Sequence, residues 1–179
     1  MPDQPGRSEP PPDEGVVDSS LGSLVFLVVA PGTVAGLVPW WITRWRLQPP
    51  LGGWAAGRAI GGVLLLVGLA VLLDSFVRFA LEGRGTPAPP FPTEQLVVSG
   101  PYRYVRNPMY LAVLSAIAGQ AALLGSRELL GYAGLVWLAF HAFVLLYEEP
   151  TLRRRYGPQY GSYCATVRRW LPRRPSPPV

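Results

Sequence analysis

Two adjacent glutamates, Glu148 and Glu149, follow a long apolar stretch and stand just before Pro150, which is expected to end the helix. Adjacent carboxylates at the edge of an apolar segment repel each other and lose hydration, so they need positively charged partners. One interpretation is a structural ion pair with Arg153 or Arg154 downstream. The other is that one carboxylate binds the positively charged group of a ligand.

A second polar segment contains a predicted helix start at Asn107-Pro108. Asparagine is a strong N-cap and proline is favoured at the first helical position, so capping alone can explain both residues. A helix N-terminus also offers free backbone N–H groups and the positive end of the helix dipole. Because Arg103 and Arg106 precede it within a few residues, we expect a site for a carboxylate or a phosphate here.

Aromatic residues accompany this segment. Tyr102, Tyr104 and Tyr110 flank the helix start, and aromatic faces attract a sulfonium or an ammonium group. A tyrosine beside a membrane is more often an anchor, so each one alone is weak support for a ligand site. Residues 96–98, Leu-Val-Val, form a short extended run that could offer backbone groups to a flat ligand.

The single histidine and the single cysteine exclude several kinds of site. Cys164 has no second cysteine with which to form an intrachain disulfide or a cysteine zinc site. His141 lies in an apolar stretch without a second histidine nearby, so we expect no metal. A buried hydrogen bond between helices is the favoured role for His141.

Apolar helices must position these residues. Charged residues make up 15% of the 179 residues, against roughly 25% in a soluble domain. Mean hydropathy is nevertheless +0.23, although both ends of the chain are polar. The sequence predicts an all-α polytopic membrane protein with about four transmembrane helices, at residues 21–42, 59–80, 109–124 and 129–147.

Polar and small residues inside these spans have structural interpretations. Asp74 and Arg78 share one helical face and can pair, either to neutralise each other or to serve the function. Residues 125–127, Gly-Ser-Arg, predict a tight turn that makes the third and fourth spans antiparallel neighbours. Two small-xxx-small pairs are interpreted as helix-packing positions: Gly32/Gly36 and Gly57/Gly61.

A fifth helix is predicted after Gly157-Pro158. Tyr160, Tyr163, Val167 and Trp170 would fall on one face of it, with Arg168 and Arg169 elsewhere. Such a helix would lie in the membrane interface, and it could also cover a site.

Domain organisation and orientation follow from composition. Residues 1–20 are proline-rich and acidic, which predicts a disordered tail before a single membrane-embedded domain at 21–179. All basic residues are arginines, and four spans place twelve of the sixteen on one side, so both termini are expected in the cytoplasm of a cell (inner) membrane. The arginines lie beside apolar segments, which favours contact with anionic membrane lipids over nucleic acid.

The order of these motifs resembles a known superfamily. The run LVVSGPYRYVRNPMY, then EEPTLRRRYGPQYGSY about forty residues later, then RRWLPR, is similar to the isoprenylcysteine carboxyl methyltransferase and phospholipid methyltransferase superfamily. The pattern there is Gly-x-Tyr, Arg-His-Pro-x-Tyr, Glu-Glu-x-x-Leu and Phe-Gly-x-x-Tyr-x-x-Tyr. The resemblance covers about residues 75–175, the predicted catalytic half. Asn107 replaces the usual histidine, and the resulting Arg-Asn-Pro-Met-Tyr resembles a bacterial subgroup of the family. Tyr156 replaces the phenylalanine, which is a mild change.

The resemblance implies a cytosol-facing site for S-adenosylmethionine and a lipophilic acceptor bearing a carboxylate, an amine or a thiol. Arg106 would hold the carboxylate of the cofactor or orient the acceptor, and Glu149 would act as base towards an amine. The predicted cofactor contacts, carried over by position or expected from the anion site, are Gln95, Leu96, Val97, Tyr102, Arg103, Asn107, Pro108, Met109, Tyr110 and Glu148.

Two alternatives remain. Sterol reductases are similar near Arg-His-Pro-x-Tyr, which would imply a membrane reductase using NADPH, but their second motif differs from the Glu-Glu-x-x-Leu of this chain. A non-catalytic membrane scaffold would retain the fold without the chemistry, and the intact Glu148-Glu149 pair argues against it.

Overall fold

A computed structural model describes residues 29–82 and 96–173 of the chain, without the side chains of residues 79–82. The predicted tail at 1–20, the first part of the first span, and Gln95 therefore lie outside the described residues. Within the described ranges all regular structure is helical, which confirms the predicted all-α class.

Five helices position the site. Helix α1 is described from residue 29, contains a π-helical turn at Thr33–Leu37 and ends with Val38–Thr43. The others are α2 (Ala56–Glu82), α3 (Pro108–Leu124), α4 (Arg127–Phe143) and α5 (Glu149–Thr166). Short 3₁₀ turns lie at Leu51–Gly53 and Gly100–Arg103.

Two helical runs are long and apolar enough to cross a membrane. They are Ala56–Arg78, with 23 residues, and Arg127–Thr166, with 40 residues. Helix α3 is apolar but shorter, with 17 residues. The outer faces of these helices expose large apolar side chains such as Leu66, Leu135 and Leu146, as lipid-facing helices do.

The turn between α3 and α4 has the predicted tight form. Gly125 ends α3 with a left-handed backbone (φ 75°), which only glycine adopts without strain. Ser126 then caps α4, because its hydroxyl oxygen accepts a hydrogen bond from the backbone N–H of Leu129. The antiparallel arrangement of α3 and α4 follows from this short connection.

Helices α4 and α5 form one continuous helical run, so the expectation that Pro150 ends the helix is wrong. A π-helical turn at Val144–Glu148 joins them, and the backbone N–H of Glu149 bonds to the carbonyl of Val144, five residues back. Proline inside a regular α-helix clashes with the carbonyl four residues earlier. The wider π turn relieves that clash and lets the helix continue.

The predicted amphipathic helix differs from the structure in its extent. Gly157 has a non-helical backbone (φ 51°, ψ −126°) and bends α5, which ends at Thr166. Val167 and Trp170 therefore do not share a helical face with Tyr160 and Tyr163. Residues 167–173 have no regular secondary structure, and we call them the strap.

Helices α2 and α3 pack closely through glycines. A Cβ at Gly119 would lie 2.7 Å from the carbonyl oxygen of Gly61 and 2.7 Å from the backbone nitrogen of Leu65. Of the predicted packing glycines, Gly61 is thus confirmed. A Cβ added at Gly32 or Gly36 would meet no neighbour within 4 Å among the described residues, so these two glycines make no close helix contact there.

Gly119→Ala is expected to lower the free energy of unfolding by about 1–3 kcal/mol, because backbone atoms of α2 cannot yield to the added methyl group. The midpoint of thermal unfolding in detergent measures this loss. Gly62→Ala is the matched control, since its Cβ would meet only a Leu123 methyl group at 3.9 Å. Equal stability of the two variants would contradict the close packing of α2 and α3.

Candidate active site

Glu149 lies between two arginines from distant parts of the chain. Arg169 binds it with two hydrogen bonds, from Nε to Oε1 (2.6 Å) and from Nη2 to Oε2 (2.9 Å). Nη1 of Arg106 lies 3.1 Å from Oε1 of the same carboxylate. The expected pairing with Arg153 or Arg154 is therefore wrong for Glu149. The Glu149 side chain is only 8% exposed, so these two guanidinium groups supply the neutralising charge that burial demands.

Glu148 has a different environment. Its Oε2 accepts a hydrogen bond from the hydroxyl of Tyr110 (2.7 Å), in the first turn of α3. No arginine among residues 29–82 and 96–173 forms an ion pair with it. The two adjacent carboxylates are thus unequal: within the described part of the chain, one is neutralised by two arginines, and the other is bound by a phenol alone.

The polar segment before α3, residues 102–107, meets the strap through the backbone. The N–H of Arg106 donates to the carbonyl of Arg168 (2.9 Å), and the N–H of Arg173 donates to the carbonyl of Tyr104 (2.9 Å). The hydroxyl of Tyr163 donates to the carbonyl of Tyr102 (2.8 Å). The two polar segments, far apart in sequence, therefore lie together at one end of the helices, as the sequence interpretation requires.

Asn107 occupies the N-cap position of α3, and Pro108 its first position, as predicted. The Asn107 side chain makes no capping hydrogen bond. Its Nδ2 donates instead to the carbonyl of Arg169 at 3.2 Å. The amide thus fixes the strap rather than the helix end, which corrects the capping interpretation of this side chain.

Tyr102 is buried beneath the site, in the 3₁₀ turn Gly100–Arg103. Burial, helped by the nearby Glu148 carboxylate, raises its pKa well above the ordinary value, so the phenol is neutral at physiological pH.

The 3₁₀ turn Gly100–Arg103 is joined to α2 through Arg78. This arginine pairs with Asp74 as predicted (3.0 Å), and its Nη1 donates to the hydroxyl of Ser99 (3.2 Å), directly before the turn.

The remaining predicted residues lie around this centre at different depths. Val97 is buried and Leu96 half-buried, in a segment without regular secondary structure just before the 3₁₀ turn. Met109 is half-buried and packs against the hydrophobic core. Arg103 is exposed, so its guanidinium is accessible to a ligand. Arg106 is not, because it contacts Glu149 and also donates to the sulfur of Cys164 (2.8 Å).

Aromatic rings line the side of Tyr110 that faces α4 and the strap. The Tyr110 ring centroid lies 4.6 Å from that of Phe140 and 6.4 Å from that of Trp170. Trp170 Nε1 donates to Nδ1 of His141 (3.0 Å). His141 therefore bonds to the strap and not to another helix, which corrects its expected role.

The sequence does not indicate that Arg169 binds Glu149 or that Trp170 binds His141. It places Arg169 and Trp170 on an interfacial helix, and the run RRWLPR is the only signal that could have indicated them. Nothing in the spacing of His141 indicates a partner 29 residues later.

Comparison with known proteins gives one match. The sequence model described as phospholipid methyltransferase matches residues 57–159, which is more than half of the chain. This range includes all of α2 except its first residue, the 3₁₀ turn Gly100–Arg103, Tyr110 and both glutamates. It ends before the strap. No curated protein and no solved structure matches.

Proposed function

The chain belongs to the phospholipid methyltransferase family, and we propose that it transfers a methyl group from S-adenosylmethionine to a lipophilic acceptor. The family and the two long apolar helices indicate a membrane methyltransferase. The proposal of this cofactor depends on one observation: Glu148, beside the neutralised Glu149, is a carboxylate without an arginine partner among the described residues. Such a group is suited to a cationic ligand.

The residues present fit S-adenosylmethionine, which carries a sulfonium, an ammonium and a carboxylate group. Glu148 would bind the ammonium, and the rings near Tyr110 would face the sulfonium. Exposed Arg103 would bind the carboxylate, with help from the N-terminus of α3. When bound, the cofactor supplies an electrophilic methyl group.

The other charged residues hold the site in place. Arg106 is expected to position Glu149 and the strap rather than to bind the cofactor, since its guanidinium already contacts Glu149 and Cys164. Glu149 as a base towards an amine has little support, because both its oxygens accept hydrogen bonds from Arg169. The protein would act mainly by orienting the acceptor and excluding water, for a carboxylate, an amine or a thiol.

We place this site at the cytoplasmic face of a four-span protein, with a lipid acceptor entering sideways between the helices. The length of the continuous run Arg127–Thr166 supports this position in the membrane: Glu148 is its twenty-second residue, about 33 Å along a helix axis. A hydrocarbon core is roughly 30 Å thick. The carboxylate would therefore lie at the edge of the bilayer, where a polar cofactor and a lipid can meet.

Purified chain in detergent is expected to be protected from thermal unfolding by S-adenosylmethionine and by S-adenosylhomocysteine, but not by NADPH. A ligand at 100 times its Kd stabilises the folded state by about 2.7 kcal/mol, enough for a shift of several degrees. Protection by NADPH alone would favour the reductase alternative and contradict the proposal.

The acceptor can be identified by incubating the same protein and an isotope-labelled methyl donor with a lipid extract. We expect label in a lipid extract incubated with the wild-type chain and none with Glu148→Gln, which serves as the matched control. Cofactor binding without labelled lipid in extracts from several bacterial sources would contradict a lipophilic acceptor.

A further inference from the structure

Trp170 lies outside the residues 57–159 that the family model matches, so the match itself says nothing of its role. Its ring is nevertheless close to the candidate cofactor site. The ring centroid lies 6.4 Å from that of Tyr110, whose hydroxyl donates to the carboxylate of Glu148. Tyr110 thus connects Trp170 with Glu148, the carboxylate that has no arginine partner among the described residues.

His141 explains how the indole is oriented. It is the only histidine of the chain and stands in the apolar helix α4, where an unsatisfied imidazole would be costly. Its Nδ1 accepts the hydrogen bond from Trp170 Nε1 at 3.0 Å, and its ring stacks on Trp137 with centroids 5.2 Å apart. This hydrogen bond gives the indole N–H and the imidazole a partner each and fixes the plane of the indole.

The neighbouring residues of the strap are held independently. Arg169 binds Glu149 with two hydrogen bonds, and the carbonyl of Arg168 accepts from the N–H of Arg106. The N–H of Arg173 donates to Tyr104 on the other side of Trp170. The backbone around Trp170 is therefore anchored on both sides, and the remaining freedom is rotation of the indole, which His141 restricts.

We propose that Trp170 is a cofactor-binding residue and that His141 is the residue that positions it. This inference rests on the proposed function. The indole would give a second aromatic face, beside Tyr110, to the positively charged group that Glu148 attracts. His141 would act only through Trp170, by holding its ring in the orientation that binds.

The test measures the Kd for S-adenosylmethionine by calorimetry on full-length variants in detergent. Trp170→Phe and His141→Leu are each expected to raise Kd about fivefold, because each removes the same hydrogen bond. The double variant should be no worse than either single variant. Trp170→Ala, which removes the ring, should raise Kd about 20-fold. His141→Asn keeps an acceptor near the position of Nδ1 and should restore Kd to within about twofold of the wild type.

Two measurements distinguish this role from a structural one. Trp41→Phe, at a 68% exposed tryptophan of α1, is the matched control and should leave Kd unchanged. Hydrogen exchange at the amides of Arg106 and Arg173 reports whether the strap stays in place. Unchanged Kd in Trp170→Phe and Trp170→Ala would overturn the inference, as would increases that follow faster exchange at these amides. Failure of the wild type to bind S-adenosylmethionine would instead overturn the proposed function.

Discussion

Replacing Glu148 by glutamine is expected to weaken S-adenosylmethionine binding about 100-fold, because the cation of the proposed ligand would lose a charged partner in a desolvated site. Stability should not fall, since the amide oxygen still accepts the hydrogen bond from Tyr110 and a buried negative charge beside Glu149 is removed. The midpoint of thermal unfolding without ligand should therefore equal or exceed that of the wild type. Calorimetry and thermal unfolding on the same preparations measure the two effects.

Two matched variants define this effect. Tyr110→Phe keeps the charge and removes one hydrogen bond to Glu148, so its Kd should rise by about tenfold or less. Glu128→Gln, at an exposed carboxylate in the first turn of α4, should leave Kd unchanged. Unchanged affinity in both Glu148→Gln and Tyr110→Phe would remove the candidate cofactor site.

Replacing Glu149 by glutamine should give the opposite result, a large loss of stability. The substitution leaves the guanidinium groups of Arg106 and Arg169 without a carboxylate, and the Arg106 side chain is only 12% exposed. Breaking a buried ion pair from one side typically costs about 3–5 kcal/mol, and partial exposure of Arg169 lowers our expectation to about 3 kcal/mol. The midpoint of thermal unfolding should fall by several degrees.

The neighbouring arginines provide the control for this prediction. Arg169→Gln removes two hydrogen bonds to Glu149 and should reproduce most of the loss. Arg168→Gln changes an exposed neighbour and should leave stability within about 0.5 kcal/mol of the wild type. If Glu149→Gln were as stable as the wild type, the carboxylate would not be the anchor of the strap.

The sequence predicts the bounds of α3 well because apolar stretches and turn residues are local signals. Helix α3 begins at Pro108 and ends before Gly125, within one residue of the predicted span. The sequence also predicts that the two polar segments meet. Part of that prediction came from the family resemblance, which the family match confirms. The roles of the individual site residues in binding and catalysis stay predictions.

The sequence does not predict which partners charged residues choose. Arg153 and Arg154 are the nearest cations to Glu149 in sequence, yet Arg169, twenty residues away, and Arg106 bind it. The bend at Gly157 makes this possible, because it turns the chain back towards α3. Spacing rules assume a continuous helix, so they cannot account for a contact that depends on such a bend.

The π turn at Val144–Glu148 also determines which neighbours each of the two glutamates contacts. It contains one residue more than an α-helical turn would, directly before Glu149. Each residue of an α-helix turns the chain by about 100° and advances it about 1.5 Å. Deleting a single residue here would rotate α5 and the strap as a unit, so Glu148 and Glu149 could no longer keep their separate neighbours. The length of this stretch is therefore as constrained as its composition, and insertions or deletions should be far less tolerated here than substitutions.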